Sequence, residues 1–332
     1  MKNYYKLVSI IIRSYDEEKM IGKLLDSIQK QNFDKNQLEV IVVDSDSEDS
    51  TLQIAQNYNI KLVQIEKKDF SFGYSLNKGI ESAKGKYILI ISAHCYPERT
   101  NWISKMIAPF KNNDIGLVYG RQIGIETTKY SERRIFSKLF PDNNSGIQEN
   151  IFCNNANCAI RQDLWKEEHY DEILSGLEDL DWAIKIAKKG YKIYYVSDAC
   201  IYHLHNETYA QIKNRYKREA IAHKKINPDD RFELIEYLKL FTLNVLTDIY
   251  FAKKENILLK NIISIISFRH CQFIGAYMGF NTKYIDSNLK RQFYYPNKIE
   301  GEQKYIPVIE IINKLRNKMQ FLFKSNKYTK NK

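Results

Sequence analysis

Three polar clusters follow three apolar runs near the start of the chain. Arg13-Ser14-Tyr15-Asp16-Glu17-Glu18 follows the run at 8–12, and Asp44-Ser45-Asp46-Ser47-Glu48-Asp49-Ser50-Thr51 follows the run at 40–43. Ser92-Ala93-His94-Cys95-Tyr96-Pro97 closes a third run that begins at Tyr87. Each cluster has a plain structural use, because Ser and Asp cap helices and acidic side chains in a first turn suit the helix dipole. Their recurrence after successive strands favours a nucleotide site instead. Farther along, Glu178-Asp179-Leu180-Asp181 puts three carboxylates within four residues. They repel one another, a cost that dipole compensation alone does not require. Cys95 beside His94 suggests a nucleophile at first sight, but a small buried Cys at a strand end is the commoner arrangement.

Strands and helices must bring these clusters together. Residues 8–12 form a β-branched run; Ser14 and Glu17 have capping-box spacing and predict a helix that carries Ile21, Leu24, Leu25 and Ile28. Strands are expected at 40–43, 60–65, 87–92 and 115–118. Helices are expected at 50–58, at 74–83 with Gly85 just beyond, and along the stripe Trp102, Ile103, Met106, Ile107, Phe110. Short apolar strands alternating with helices predict a parallel sheet covered on both faces, with ligands at the carboxyl ends of its strands. Residues 123–150 read as a flexible loop and 178–189 as a helix ended by Gly190. Strands follow at 192–196 and 199–202; beyond 207 the pattern is helical, with a Lys/Asn-rich tail at 324–332.

Composition narrows the class. The 332 residues are 44% hydrophobic and 27% charged, which excludes bulk disorder and fits one or two domains. The net charge of +11 is uneven: residues 1–205 hold 27 basic and 28 acidic side chains, and residues 206–332 hold 24 and 12. Five scattered cysteines (Cys95, Cys153, Cys158, Cys200, Cys271) make a disulfide scaffold unexpected and favour a reducing compartment. The opening Met1-Lys2-Asn3-Tyr4-Tyr5-Lys6 lacks the pattern of a signal peptide. No apolar run reaches the roughly 18 residues of a membrane span.

Val8-Ser9-Ile10-Ile11-Ile12-Arg13-Ser14-Tyr15-Asp16-Glu17-Glu18 resembles the opening of family 2 glycosyltransferases of GT-A fold. Val42-Val43-Asp44-Ser45-Asp46-Ser47-Glu48-Asp49-Ser50-Thr51 resembles their Val-Asp-Asp-Gly-Ser-x-Asp-x-Thr segment. Asn77-Lys78-Gly79 with Ala83-Lys84-Gly85-Lys86-Tyr87 resembles the stretch before their metal motif. Gly176-Leu177-Glu178-Asp179-Leu180-Asp181-Trp182 resembles their Glu-Asp catalytic segment, and Ala199-Cys200-Ile201-Tyr202-His203-Leu204-His205 their late strand ending in histidine. Single pieces are weak; the ordered set over residues 7–205 is specific.

The resemblance implies a Rossmann-like mixed sheet flanked by helices over residues 1–206, with a nucleotide-binding half (1–125) and an acceptor half (126–206). A helical extension would occupy 207–332. It implies inverting transfer of a sugar from a nucleotide-sugar to a hydroxyl of a glycan or lipid-linked acceptor in cell-surface polysaccharide synthesis. By position, Asp179 would be the general base, with Glu178 and Asp181 in support. Asp44 would read the nucleobase, and Ser14, Tyr15, Asp16, Glu17, Asp46, Ser47, Asn77, Ser92 and Ala93 would line the nucleotide. Arg121 would steady phosphate or acceptor, or else serve in a surface ion pair. Asn154-Asn155-Ala156-Asn157 resembles the segment beneath the acceptor.

The family's Asp-x-Asp motif should fall at Ser92-Ala93-His94, where both carboxylates are missing. Three readings stand: His94 ligates a divalent metal (Mn²⁺ or Mg²⁺) together with His203 or His205; His94 meets the phosphate without metal; or the donor carries a single phosphate. Alternation along a strand would point His203 and His205 to opposite faces, leaving one of them for the site. Trp102, Trp165 and Trp182 read as core, with sugar stacking as the other use.

The basic, amphipathic C-terminal part reads as a peripheral contact with an anionic membrane, at the cytoplasmic face, or as a helical hairpin with a solvated basic face. No nucleic-acid motif is found, and a homodimer is left open. The rival reading from another class is a non-catalytic nucleotide-sugar or glycan-binding subunit.

Overall fold

The computed structural model describes residues 6–283 together with Ile285, Leu289, Phe293 and Tyr294. The first five residues and the Lys/Asn-rich tail lie outside the described residues. The chain divides into two compact units: Met1–Asn206 with Ile221–Asp230, and Glu207–Ala220 with Arg231–Lys332.

The first unit opens with β1 (Val8–Ser14), α1 (Ile21–Gln29), β2 (Leu38–Asp44), α2 (Thr51–Ala55), β3 (Lys61–Gln64), α3 (Phe72–Glu81) and β4 (Tyr87–Ser92). It continues through β5 (Cys95–Pro97), α4 (Trp102–Ile107), β6 (Ile115–Gly124), α5 (Tyr130–Leu139), β7 (Gly146–Ile147), β8 (Asn157–Arg161), α6 (Gln162–Glu167), α7 (Glu178–Lys188) and β9 (Lys192–His203). The strands form a mixed sheet in the order β3-β2-β1-β4-β8-β6-β9-β5, with β7 paired to β9. β1, β2, β3 and β4 run parallel, whereas β8 is antiparallel to both β4 and β6.

Alternation of side chains across the sheet builds two cores. Ile10, Ile12 and Val42 meet α1 and α4 on one face; Ile11, Ile41 and Val43 meet α3 and α7 on the other. Burial on both faces explains why these strands read as unbroken apolar runs. Register then brings the polar clusters to one edge. Ser14 pairs with Asp44, Arg13 with Ser92, and Cys95 with His203.

Several expectations are corrected. Residues 123–150 are not a plain loop, because they contain α5 and β7. The helix hid because its buried face carries Ser131 and Glu132 beside Tyr130 and Phe136, so its periodicity reads as polar. Ser14 does not cap a helix. It ends β1, and α1 begins at Ile21 after Met20 with no side-chain cap. The runs at 192–196 and 199–202 are one strand, β9. The glycine after α7, Gly190, has φ +93°, the left-handed conformation expected of a helix-ending glycine.

The second unit is helical. The division between units falls within α8 (Tyr209–Ile226), and α9 (Leu234–Lys254) and α10 (Leu258–Phe280) pack together. Arg269 and Asp248 form a buried two-point ion pair between them, at 2.8 and 3.1 Å. A Cβ on Gly275 or Gly279 would meet the carbonyl oxygen of Lys213 or Lys217 at 2.4 Å, so this glycine pair lets α10 approach the start of α8 closely.

Candidate active site

The turns after β1 and β2 lock together through side-chain caps. Asp44 is fully buried, and its carboxylate accepts from the Ser47 amide (2.9 Å) and hydroxyl (2.6 Å). Loss of water pushes its pKa above the usual carboxylate value, against the two bonds from Ser47. The Ser47 hydroxyl oxygen accepts from the Asp16 amide at 2.9 Å, and the Asp16 carboxylate accepts from the Glu48 amide at 2.8 Å. Asp16 and Asp46 hold positive φ, 51° and 64°. Such backbones are uncommon outside glycine and are held here by these reciprocal bonds. Beside them Lys67 donates to the Tyr15 hydroxyl at 2.7 Å and lies over its ring.

A histidine cluster occupies the next stretch of the same edge. His94 Nδ1 lies 2.8 Å from a Glu17 carboxylate oxygen, and His94 Nε2 lies 3.2 Å from His203 Nε2. His203 Nδ1 contacts Gln122 Oε1 at 2.8 Å, while Gln122 Nε2 donates to Asn154 Oδ1. Glu17 and Gln122 offer acceptors to the two Nδ1 atoms, and the two Nε2 atoms are turned toward each other. His205 Nδ1 contacts the buried Glu132 at 2.7 Å, and its ring centroid is 4.0 Å from that of His203. The two histidines thus lie together, contrary to strict alternation: β9 ends at His203, and the chain leaves strand geometry before His205. Cys95 is fully buried and burial drives its thiol well up, so its place is in the core.

The carboxylate cluster starts α7. Leu177, just before the helix, has φ 56°, a strained position for a branched apolar residue. Asp179 accepts from the Asn155 amide at 2.9 Å and from the Leu180 amide at 2.8 Å. The buried Glu178 receives Arg13 Nη1 at 3.3 Å and Asn155 Nδ2 at 3.3 Å. Loss of water first, and the neighbouring Glu178 second, push Asp179 up to about 7. A carboxyl so placed can take up or release a proton near neutrality.

Not every expected residue lines this edge. Asn77 is buried, with its amide committed to Tyr170, Glu172 and the Trp165 indole, which makes it a strut rather than a lining group. Asp181 is turned to Lys185 at 3.0 Å. Ala93 is buried, Ser92 is half-buried at the end of β4, and Arg121 lies 3.8 Å from Asp142. All three tryptophans are buried, which removes them as sugar platforms. Arg13, Gln122 and Glu132 carry parts of the site to which sequence reasoning gave no role, and Asn155, expected beneath the acceptor, contacts the carboxylates of Glu178 and Asp179. Their partners lie far along the chain, so no local spacing could signal them.

Residues 9–167 match the model of Glycosyl transferase family 2. The chain is similar to poly(ribitol-phosphate) beta-N-acetylglucosaminyltransferase TarS of Staphylococcus aureus, 26% identical over 259 residues, covering 75% of this chain and 42% of that protein. It thus spans less than half the length of that relative. It is also similar to the O-antigen chain rhamnosyltransferase RfbN of Salmonella typhimurium, 26% identical over 229 residues, covering 65% and 72%. In structure it resembles the mannosyltransferase PcManGT from Pyrobaculum calidifontis in complex with GDP-Man and Mn²⁺, with TM-score 0.57 and 17% identity over 89% of each chain. The fold is that of GT-A glycosyltransferases, and residues 9–167 are similar in sequence to family 2 of those enzymes.

Proposed function

We propose that the chain moves a sugar from a nucleotide-sugar donor to a hydroxyl of a glycan or lipid-linked acceptor in cell-surface polysaccharide synthesis, with inversion. The acceptor oxygen attacks the anomeric carbon as the bond to the donor phosphate breaks. The acceptor proton passes to Asp179, and the nucleotide leaves with the bonding pair. The observation that carries this reading is Asp179, held by two backbone amides and raised to about 7. Asp44, Asp16 and Ser47 form the turn proposed to read the nucleobase; Tyr15 and Lys67 border it. A binding subunit would need no base, and the related proteins cited above are named as transferases.

Asp179→Asn tests the assignment. It should lower kcat by roughly 10²- to 10⁴-fold, the usual worth of a general base, while donor affinity stays within a few-fold. Transfer at the normal rate would remove Asp179 from the mechanism.

Ser92-Ala93-His94 stands in this reading where the family carries Asp-x-Asp. Two imidazole nitrogens 3.2 Å apart can share a proton or, when both rings are neutral with Nδ1 protonated, turn two lone pairs toward one cation. That donor set suits a transition ion such as Mn²⁺ better than Mg²⁺, which prefers oxygen. His94 and His203 would hold the ion, with Glu17 and Gln122 orienting the rings from behind, and His205 is the neighbouring third candidate. When bound, the ion supplies positive charge for the departing phosphate. Transfer should rise with Mn²⁺, respond weakly to Mg²⁺ and fall in chelator; His94→Ala should abolish the Mn²⁺ response. Full activity in excess chelator would leave His94 as a direct phosphate donor.

A further inference from the structure

We propose that the outer face of α9 is a docking surface for an anionic lipid bilayer. The proposal deepens the partner side of the function above and rests on it for its biological purpose, but its physical basis is separate.

On α9, Tyr237, Val245, Asp248 and Ala252 are buried. The rest of the helix surface should be polar if water alone surrounds it. Instead Leu234, Ile235, Leu238, Leu243, Leu246 and Tyr250 are each between 48% and 67% exposed. Ile235, Leu238 and Leu246 recur at spacings of three and eight, with Leu243 and Tyr250 seven apart beside them, so they share one broad face. Leu259 and Ile263 at the start of α10 add 94% and 59% exposure. Contiguous apolar surface on this scale marks an interaction site in a soluble chain.

Charge selects the occupant. Lys239 stands four residues from both Ile235 and Leu243, Lys253 three from Tyr250, and Lys260 three from Ile263. The exposed acids sit at the ends of α9: Glu233 and Glu236 are engaged in the capping box and Glu255 follows the last turn, while Asp248 is buried against Arg269. Lysines bordering exposed Leu and Ile suit a bilayer interface, where apolar groups enter the acyl boundary and ammonium groups snorkel to anionic headgroups. A second copy of the chain would bury these ammonium groups, and charged side chains are depleted from the centres of protein interfaces. No described helix is long and apolar enough to cross a membrane, so α9 is suited to lie on the surface.

The test is sedimentation of the full chain with vesicles of phosphatidylcholine, with and without phosphatidylglycerol. The chain should pellet with the anionic vesicles, and roughly tenfold more weakly with neutral vesicles or in high salt. Leu238→Glu with Leu246→Glu should abolish pelleting. Lys239→Glu with Lys253→Glu should weaken it only on anionic vesicles. Both double variants change exposed residues, and donor-induced thermal shift confirms that they fold. Undiminished pelleting by the Leu variant would overturn the proposal and assign lipid binding elsewhere, residues 295–332 included. A wild-type dimer that the Leu variant turns into a monomer would assign the face to a second copy and also overturn it. The readout uses no sugar transfer, so an active Asp179→Asn would sink the proposed mechanism while leaving this result standing.

Discussion

The residue that most shapes this site is one whose charge opposes its surroundings. Asp179 faces Glu178 on its own helix, Arg13 at the end of β1, Cys153 on the segment before β8, and Tyr170 between α6 and α7. Only Arg13 among them is cationic, and it bonds Glu178, not Asp179. Arg13→Gln should therefore raise the proton affinity of Asp179 further and move the acid limb of the kcat/KM profile to higher pH. Activity should fall several-fold near about pH 6 and recover toward about pH 9; a uniform loss across pH would make Arg13 merely structural. The same shift bears on stability. The folded-state value of Asp179, about 7, lies above that of an unfolded carboxyl, so the native state holds the proton more tightly. Ionisation therefore costs stability progressively as pH rises from about 4 to about 7. Asp179→Asn should raise Tm above neutrality, with the gain shrinking in acid; an equal Tm at all pH values would contradict the raised proton affinity. Residue type and order made Asp179 legible in the sequence. Arg13 was visible only as part of a motif, because its partner Glu178 lies 165 positions away.

At the scale of elements, legibility followed burial. β4 was read at its observed limits, Tyr87–Ser92, because both faces of that strand are packed and its apolar run is unbroken. β5, three residues long and paired to the far end of β9, left no periodicity to read. The helix α5 was missed because polar residues line its inner side. Polar stitching also joins the two halves of the sheet. Asn157 at the start of β8 is fully buried: it accepts from the Trp102 indole at 2.9 Å and donates to the carbonyls of Arg121 and Ala199. Those carbonyls sit on β6 and β9, near the register shift between Gly120 and Gln122. Asn157→Leu would strand three buried polar groups, each worth about 1–3 kcal/mol when left unpaired, and would overfill the space beside Gly120. We expect a Tm drop of many degrees and loss of transfer. A variant that melts like the parent would mean the stitching is redundant.

At the scale of the whole molecule, charge and chemistry separate along the chain. The ordered motifs end by residue 205, within a stretch of net −1, and the following 127 residues carry +12. Composition could locate that surplus but could not show that one of its cations is internal. Arg269 is buried with Asp248 and also bonds Gln272, so it contributes nothing to the outer field of the helical unit. Removing one partner of a buried pair typically costs about 3–5 kcal/mol, because the other charge remains without compensation. Asp248→Asn keeps the volume of the side chain and deletes only the charge. It should accelerate amide exchange across Leu234–Lys254 and Leu258–Phe280, and weaken vesicle binding by loosening the helix that presents the apolar face. Replacing both partners with apolar residues, Asp248→Leu with Arg269→Met, should restore slow exchange, because no buried charge is then left unpaired. If Asp248→Asn exchanges as slowly as the parent, the ion pair does not hold these helices together. The stability of the surface proposed to dock would then rest on their apolar packing alone.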